Sequence, residues 1–404
     1  MDVRQALLIA STPALLLGRS NAGSAAIAQQ GLTAAATAVP VRAFDRRYEL
    51  RPVDMLLALA YGTRLDYDRT VLDAYMQWAL FRYLGAFEWR DAYHRPPVLR
   101  LSDAARRVTG NQRRVLSEEL GIGLAVSLAH DWTTALYPDF DVHLLDIDAA
   151  VEERVIRPIK GKRTDYLVLG ASHRTAQQVL LGLVESKGTA SATHAVAQLK
   201  SGATQLEETW AHMPRRAELP GLVSVMHAGR AHLAYQAVQV LPTAQGPSVT
   251  RPAPDPAPIS IDHNRWARLT AYTWAKLADL AEDDVLFARV APQRLKGRRP
   301  ASGQRPAPVT RRIADRTFRG SEATIPLPGG DLRIFLGADQ AILTALYEED
   351  PVYLAAIRRE VLSASAGERG RSDNLGIRDR SNRPTRVEAI SDDGAGIAIS
   401  LANQ

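Results

Sequence analysis

The sequence predicts an α/β (α+β) protein whose central domain is a mixed sheet flanked by helices. Hydrophobic residues make up 46% of its 404 residues, which is enough to bury the cores of more than one domain. Near the middle of the chain, three strand-like apolar runs follow one another, and a helix-length segment and a further apolar run come after them. The four runs lie at 142–147, 166–170, 179–185 and 222–226, and the helix-length segment lies at 192–210.

Residues 1–100 are predicted to form a mainly helical N-terminal region. Apolar residues between 53 and 84 recur at helical spacing, and the aromatic residues among them are expected to pack into a core. The apolar run at 6–18 leaves open a signal peptide within residues 1–28, but Asp2 and Pro13 favour a helix or strand of the core. No membrane partner is expected, because no other stretch approaches the ~18 apolar residues that span a bilayer. The expected location is cytoplasmic, with which the lack of cysteine is compatible.

Residues 101–241 are predicted to form the central domain. A helix is expected from about Asn111 through Leu128, ahead of the three strands. Strands that follow one another with little helix between them pair mostly antiparallel, whereas the helix at 192–210 allows the last strand to pair in parallel. The expected order is therefore helix, three strands, helix, strand.

The rest of the chain is predicted to be a linker and a C-terminal accessory region. Residues 242–258 contain repeated prolines, which suit neither an interior strand nor a helix, so they are interpreted as a linker. Residues 259–404 form the accessory region. Its predicted elements are a helix at 264–280, a strand at 332–336, a helix at 338–348 and an Arg-rich mobile loop at 364–386.

The chain is basic, with a formal net charge of +6 and a pI near 9.6, which favours polyanionic partners. Many of the cations lie in a basic segment at 289–319, whose proline and glycine content indicates a mobile arm. This segment is interpreted either as a solvated face or as an arm that binds a phosphate backbone, and the second interpretation is preferred. Its candidate nucleic-acid-binding residues are Arg298, Arg299, Arg311 and Arg312.

Several classes of chemistry are excluded. The chain has no cysteine, so it has no disulfide framework, thiolate zinc site or cysteine nucleophile. It lacks the Gly-x-x-x-x-Gly-Lys-Ser/Thr loop of P-loop ATPases and the Gly-x-Ser-x-Gly elbow of serine hydrolases. His212, His227 and His232 do not keep the spacing of a zinc site, so they are expected to be satisfied or exposed histidines.

Charged residues stand at the ends of two of the apolar runs. Asp165 opens the second run, and Glu185 and Lys187, which share one strand face, close the third. Hairpin pairing of the two strands places Asp165 beside both. Two carboxylates so close repel each other unless a cation lies between them, and oxygen ligands without histidine or cysteine select Mg²⁺ or Mn²⁺. The backbone carbonyl of Ser186 is expected to be a further ligand.

This set of residues favours phosphodiester hydrolysis. A bound divalent cation polarises a phosphoryl oxygen and generates a hydroxide for in-line attack. Lys187 is suited to orient that water or to neutralise charge on the phosphorus. Asp165, Glu185 and Lys187 are therefore the predicted catalytic residues, and Asp165, Glu185 and the Ser186 carbonyl are the predicted metal ligands.

The segment 108–230 resembles the restriction-endonuclease-like, or PD-(D/E)XK, nuclease superfamily. Members of that superfamily carry an Asp at a strand start and Glu-x-Lys or Asp-x-Lys on the adjacent strand, and Asp165, Glu185 and Lys187 match these positions. Thr164 stands where the motif has proline, a common departure. The resemblance implies a restriction-endonuclease-like core with the helix, three strands, helix and strand order.

The resemblance also implies two auxiliary residues at the site. In several branches the helix after the motif carries a glutamine near the site, and Gln198 is preferred here over Gln205. In some branches the helix before the strands adds an acid to the metal site, and Glu119 is preferred over Glu118.

The sequence thus predicts a bacterial, Mg²⁺-dependent (or Mn²⁺-dependent) nuclease that acts on nucleic acid, with DNA as the expected partner. The alternative is a non-catalytic DNA-binding or scaffold protein that retains the nuclease fold. The intact Asp165, Glu185 and Lys187 favour the enzyme. It stays open whether the protein forms a homo-oligomer, whether its substrate is DNA or RNA, and whether it cleaves as an endonuclease or an exonuclease.

Overall fold

A computed structural model of the chain describes residues 2–63, 80–90, 96–138, 140–154, 156–158, 161–172, 179–213, 220–229, 232–243, 263–296, 307–328, 330–349, 351–371 and 385–402. The chain divides into two compact units, each discontinuous in sequence. We name them the central unit, Leu15–Glu49 with Val98–Leu269, and the terminal unit, Met1–Ala14 with Leu50–Pro97 and Thr270–Gln404.

The bounds of the helices and strands are as follows. The helices are α1 Val3–Ser11, α2 Ala22–Gln29, α3 Pro52–Gly62, α4 Asp103–Arg107, α5 Gly110–Leu136, α6 Ile147–Glu152, α7 Ala192–Ala211, α8 His263–Leu280, α9 Asp284–Val290, α10 Gln293–Lys296, α11 Gln340–Glu348 and α12 Pro351–Arg371. The strands are β1 Ala14–Arg19, β2 Ala36–Pro40, β3 Arg46–Leu50, β4 Phe87–Trp89, β5 Leu99–Leu101, β6 Phe140–Asp146, β7 Tyr166–Ser172, β8 Val179–Thr189, β9 Gly221–Ala228, β10 Leu233–Pro242, β11 Val309–Ile313, β12 Arg316–Leu327, β13 Gly330–Asp339, β14 Arg386–Ile390 and β15 Ala395–Ala402.

The central unit is built on a mixed sheet that has eight strands within the described residues. Their order is β3-β1-β10-β9-β8-β7-β6, and β2 also pairs with β10. β6, β7 and β8 are antiparallel neighbours, whereas β9 pairs in parallel with β8, to which α7 connects it. The predicted order and pairing of helix, three strands, helix and strand are confirmed.

Helices α5 and α7 cover this sheet by packing against β8 and β9. α7 is amphipathic, because its buried residues, among them Ala195, Leu199, Ala203 and Leu206, recur at intervals of three and four. The class predicted from the sequence, a mixed central sheet flanked by helices, is therefore confirmed.

The N-terminal region contains strands that the prediction of a mainly helical region omitted. β1 pairs in parallel with β10, and β2 pairs antiparallel with the same strand. The apolar run at 6–18 is divided between α1 and β1, where Leu7 and Leu16 are fully buried. Helix α3 begins the predicted helical stretch, of which residues 64–79 lie outside the described ranges.

The terminal unit contains an antiparallel sheet in the order β11-β12-β13-β15-β14. Helices α11 and α12 contact strands of this sheet, as do α1 and α3. Its core includes the fully buried Phe318, Ile334 and Ile397. The predicted helix at 264–280 and the predicted strand and helix at 332–336 and 338–348 are confirmed as α8, β13 and α11.

The basic segment is not a mobile arm over residues 309–319, where β11 and the start of β12 form a hairpin. Alternate residues of β11 face opposite sides of the sheet, so basic residues on an exposed face are compatible with a strand. Arginines of this hairpin form ion pairs with acidic side chains. The pairs include Arg311 with Glu322 at 2.9 Å, Arg316 with Asp339 at 2.5 Å, and Arg319 with Asp283 at 3.1 Å.

Other predicted segments fall partly outside the described residues. Arg298 and Arg299 lie outside them, as do residues 244–262, which include most of the predicted linker. The first part of the predicted loop at 364–386 is helical, because α12 extends to Arg371. No helix among the residues that the structure describes is long and apolar enough to cross a membrane.

Candidate functional site

The end of β8 and the start of β7 lie side by side in the central unit. Tyr166 is paired with Val184 in the antiparallel register, which places Asp165 next to Glu185. The backbone N–H of Ser186 donates to Oδ2 of Asp165 at 2.8 Å. Because the N–H and C=O of one strand residue point to the same side, the Ser186 carbonyl is directed toward Asp165 as well. The predicted acids and the predicted backbone ligand are thus brought together.

Helix α7 holds the backbone immediately before Asp165. The side-chain amide of Gln205 donates to the carbonyl of Arg163 at 3.3 Å, and the N–H of Thr164 donates to Oγ1 of Thr209 at 3.1 Å. Both threonines are buried. These bonds satisfy backbone groups that precede β7 and so have no ladder partner from it.

Glu185 is completely buried beneath α7. A Cβ on Gly202 of that helix would lie 3.2 Å from Cγ of Glu185 and 2.6 Å from Cγ1 of Val223, so the absence of a side chain there lets the helix approach. The Lys187 ammonium lies 2.5 Å from Oε1 of Glu185. Neither carboxylate oxygen has a well-formed hydrogen bond to the described part of the chain. Glu185 is therefore a desolvated carboxylate that depends on a lysine for charge compensation.

Both carboxyl groups are shifted toward their protonated forms. Burial, followed by the charge of Asp165, raises the pKa of Glu185 to about 8, although Lys187 opposes the rise. Burial also raises the pKa of Asp165, against the hydrogen bond from Ser186 and the charge of Lys187, and Asp146 adds to the rise. Neighbouring acids of this kind ionise more readily when a cation lies between them.

Helix α5 crosses β8 at Gly188 with the two backbones close together. A Cβ on Gly188 would lie 1.9 Å from the carbonyl oxygen of Ser117, and a Cβ on Gly121 would lie 2.7 Å from the carbonyl oxygen of Lys187. No side chain fits at such distances. The two glycines therefore allow α5 to pack directly over the strand end that carries the candidate site.

An open cleft of about 510 Å³ lies at these strand ends. Residues of α5, of α7 and of the segment before β7 form its walls. The polar residues that line it include Glu118, Lys162, Asp165, Lys187, Gln198 and Ser201.

The two auxiliary predictions have different outcomes in this cleft. Gln198 lines it, whereas Gln205 is committed to the Arg163 carbonyl. In α5, Glu118 lines the cleft and the preferred Glu119 does not. Adjacent helical residues point about 100° apart, so the choice between them depends on how the helix is rotated against the sheet.

The candidate donor atoms at the strand ends are oxygens, the type of ligand that hard divalent cations prefer. Asp165 and Glu185 provide carboxylates, and Ser186 provides a backbone carbonyl. Within the described ranges, no group of three or more His, Asp or Glu side chains is placed to hold a metal ion. Mg²⁺ keeps several waters and is often bound through one or two carboxylates, so this smaller set is compatible with it, and oxygen donors also suit Mn²⁺. The buried oxygens of Glu185, which lack well-formed hydrogen bonds, favour a cation here.

Sequence reasoning missed Lys162 and Ser201, which line the cleft. A signal for Lys162 was present, because residues 154–163 contain five Arg or Lys and no acid directly before the strand that Asp165 opens. Ser201 follows Gln198 by three positions and so shares its face of α7.

Comparison of the chain with protein-family models, with curated proteins and with solved structures finds no match. The architecture is a mixed α/β fold with a mixed central sheet flanked by helices. The function is therefore inferred from the site itself.

Proposed function

We propose that this protein is a divalent-metal-dependent nuclease that hydrolyses phosphodiester bonds in DNA. The observation that carries the proposal is the meeting of Asp165, Glu185 and Lys187 at the ends of two buried strands, beside an open cleft. The order of helix, strands and helix around these residues supports the resemblance to PD-(D/E)XK nucleases. The net charge of +6 agrees with a polyanionic substrate.

The carboxylates of Asp165 and Glu185 and the carbonyl of Ser186 would hold Mg²⁺ or Mn²⁺. When bound, such a cation supplies Lewis acidity toward a phosphoryl oxygen and activates water as a nucleophile. Both carboxyl groups have to be ionised to serve as ligands. Because the pKa of Glu185 is raised to about 8, protons and the cation compete for the same oxygens.

Lys187 is suited to stabilise the charge that develops during hydrolysis. Its side chain is 21% exposed and lines the cleft, so a substrate phosphate can approach its ammonium. In the reaction the water oxygen bonds to phosphorus, the bond from phosphorus to the leaving oxygen breaks, and a proton lost by the water is balanced by one gained by the leaving group. Lys187 donates hydrogen bonds to the phosphoryl oxygens as their negative charge increases.

The test is cleavage of circular and linear DNA by the full-length protein, with Mg²⁺ or Mn²⁺ and with a chelator. Asp165→Asn, Glu185→Gln and Lys187→Met should each lower the cleavage rate by about 10²- to 10³-fold, because each removes a charge that acts in the transition state. Asp103→Asn, at an exposed carboxylate on α4, is the matched control and should cleave like the wild type.

Two results would contradict the proposal. The first is the lack of metal-dependent cleavage of any DNA or RNA, which would favour a non-catalytic DNA-binding or scaffold protein with this core. The second is wild-type cleavage by all three site variants, with circular dichroism showing that they are folded. That result would remove these residues from the active site.

A further inference from the structure

The cleft contains polar side chains that the proposed chemistry does not use. Lys162 belongs to the segment that leads to Asp165, whereas Gln198 and Ser201 belong to α7. The side chains of Lys162, Gln198 and Ser201 form no hydrogen bond or ion pair with the residues that the structure describes. Their donors are therefore available to a ligand.

Lys162 belongs to a basic stretch of the sequence that leads to the cleft. Residues 154–163 contain five Arg or Lys and no acid. Arg163 is compensated by an ion pair with Asp148, and Lys187 by its ion pair with Glu185. The charge of Lys162 has no such compensation within the described residues, so an anion entering the cleft meets an unpaired ammonium.

The α7 wall adds neutral donors to this cation. Gln198 and Ser201 are three residues apart on a helix, so their side chains lie on one face. An amide NH₂ and a hydroxyl are donors that commonly bind the phosphate oxygens of nucleic acids. Apart from the carboxylates and Lys187, the cleft thus offers one cation and two neutral donors from two separate elements.

We propose that Lys162, Gln198 and Ser201 form a phosphate-binding subsite that takes a backbone phosphate next to the one that is hydrolysed. The inference rests on the proposed function, because it assumes that a neighbouring phosphodiester is hydrolysed. A second backbone phosphate, separated from the first by a sugar, is present in a polynucleotide and absent from a nucleoside monophosphate, so the subsite favours polynucleotides over mononucleotides. Contacts to phosphate fix the position of the strand and do not read its sequence.

The experiment measures binding of a short fluorescent DNA duplex to the full-length Glu185→Gln protein in EDTA, over a series of salt concentrations. Hydrolysis is suppressed in this background, so binding is measured alone. Adding Lys162→Gln should raise Kd roughly five- to tenfold and reduce the slope of log Kd against log salt by about 0.9. The matched control is Lys200→Gln, which removes an exposed cation of α7 that does not line the cleft and should change Kd by less than about twofold.

The possible results distinguish a failure of the phosphate-binding subsite from a failure of the proposed nuclease function. Wild-type affinity and salt slope in the Lys162→Gln variant would overturn the subsite, even if the wild type cleaves DNA. A Lys162-dependent affinity in a protein that cleaves nothing would support the subsite and contradict the nuclease proposal. Inorganic phosphate that displaces the duplex as effectively as unlabelled duplex does would overturn the assignment to a polynucleotide.

Discussion

At the scale of single residues, Glu185 shows how burial and function oppose each other. An ionised carboxylate in the interior costs several kcal/mol unless it is paired and hydrogen-bonded. Lys187 compensates part of the charge, but neither oxygen of Glu185 has a well-formed hydrogen bond within the described chain. A divalent cation would compensate the remainder. Without a bound cation the buried charge of Glu185 lowers the stability of the folded state, and the proposed catalytic role would account for this cost.

We expect the metal-free protein to lose stability as the pH rises from about 4.5 to about 8. The pKa of Glu185 rises from 4.5 to about 8 on folding, so the folded state binds more protons than the unfolded state in this window. The free energy of unfolding then falls with increasing pH, by about 1.4 kcal/mol for each unit of the pKa shift. Urea denaturation in EDTA across this range measures the effect.

Glu185→Gln is the control for this pH dependence, because its amide does not titrate. The variant should have a flatter stability profile and should be more stable than the wild type near pH 8. The raised pKa of Asp165 acts in the same direction, so some dependence should persist in the variant. Identical profiles for variant and wild type would mean that the pKa of Glu185 is the same in the folded and unfolded states, which would contradict the prediction.

At the scale of secondary-structure elements, α7 positions both candidate acids, Asp165 and Glu185. Gly202 lets the helix pack on Glu185, and Thr209 accepts the N–H of Thr164, the residue before Asp165. The same helix presents Gln198 to the cleft. One rigid helix therefore fixes the relative position of two acids that come from different strands.

Thr209→Val should lower kcat about tenfold and leave KM nearly unchanged. Valine has a similar shape but no acceptor, so the buried N–H of Thr164 loses its bond and the backbone that leads to Asp165 shifts. The lost bond should also cost about 1–3 kcal/mol of stability. Thr209→Ser keeps the acceptor and should restore kcat. A kcat like that of the wild type in the valine variant, measured by steady-state cleavage, would limit Thr209 to a role in stability.

How far the elements were predictable depends on the range of the interactions that form them. The strands at 166–170 and 179–185 were predicted because length, apolar content and flanking charges agree locally. β1 was not assigned, because a short apolar run suits helix and strand alike and pairing with the distant β10 decides its structure. The hairpin of β11 and β12 was missed because its many arginines dominate the composition. The closeness of Asp165 and Glu185 could be predicted because strand register determines it. The positions of Lys162 and Glu118 in the cleft could not, because they depend on the path of a loop and on the rotation of a helix.

At the scale of the whole molecule, the division into units does not follow a linear order of domains. Residues 15–49 belong with the predicted core, whereas residues 50–97 belong with the C-terminal region. In the central unit, β1 and β2 pair with β10 and so cover a strand edge that would otherwise be open to other chains. Every candidate ligand and every cleft residue lies in the central unit. The C-terminal Arg311 is instead held by Glu322 within the terminal unit.

This division leads to a prediction about where a divalent cation stabilises the protein. A ligand that binds only the folded state adds a free energy that grows with the logarithm of its concentration, about 2.7 kcal/mol at one hundred times Kd. The cation would be bound by Asp165, Glu185 and the Ser186 carbonyl. Mg²⁺ or Mn²⁺ should therefore slow hydrogen exchange at the start of β7 and the end of β8. Exchange in β13, in the terminal unit, should change much less. Hydrogen-exchange mass spectrometry with and without the cation makes the comparison, and Asp165→Asn with Glu185→Gln should abolish the protection. Equal protection in both units, or protection that survives in the double variant, would place cation binding elsewhere in the chain.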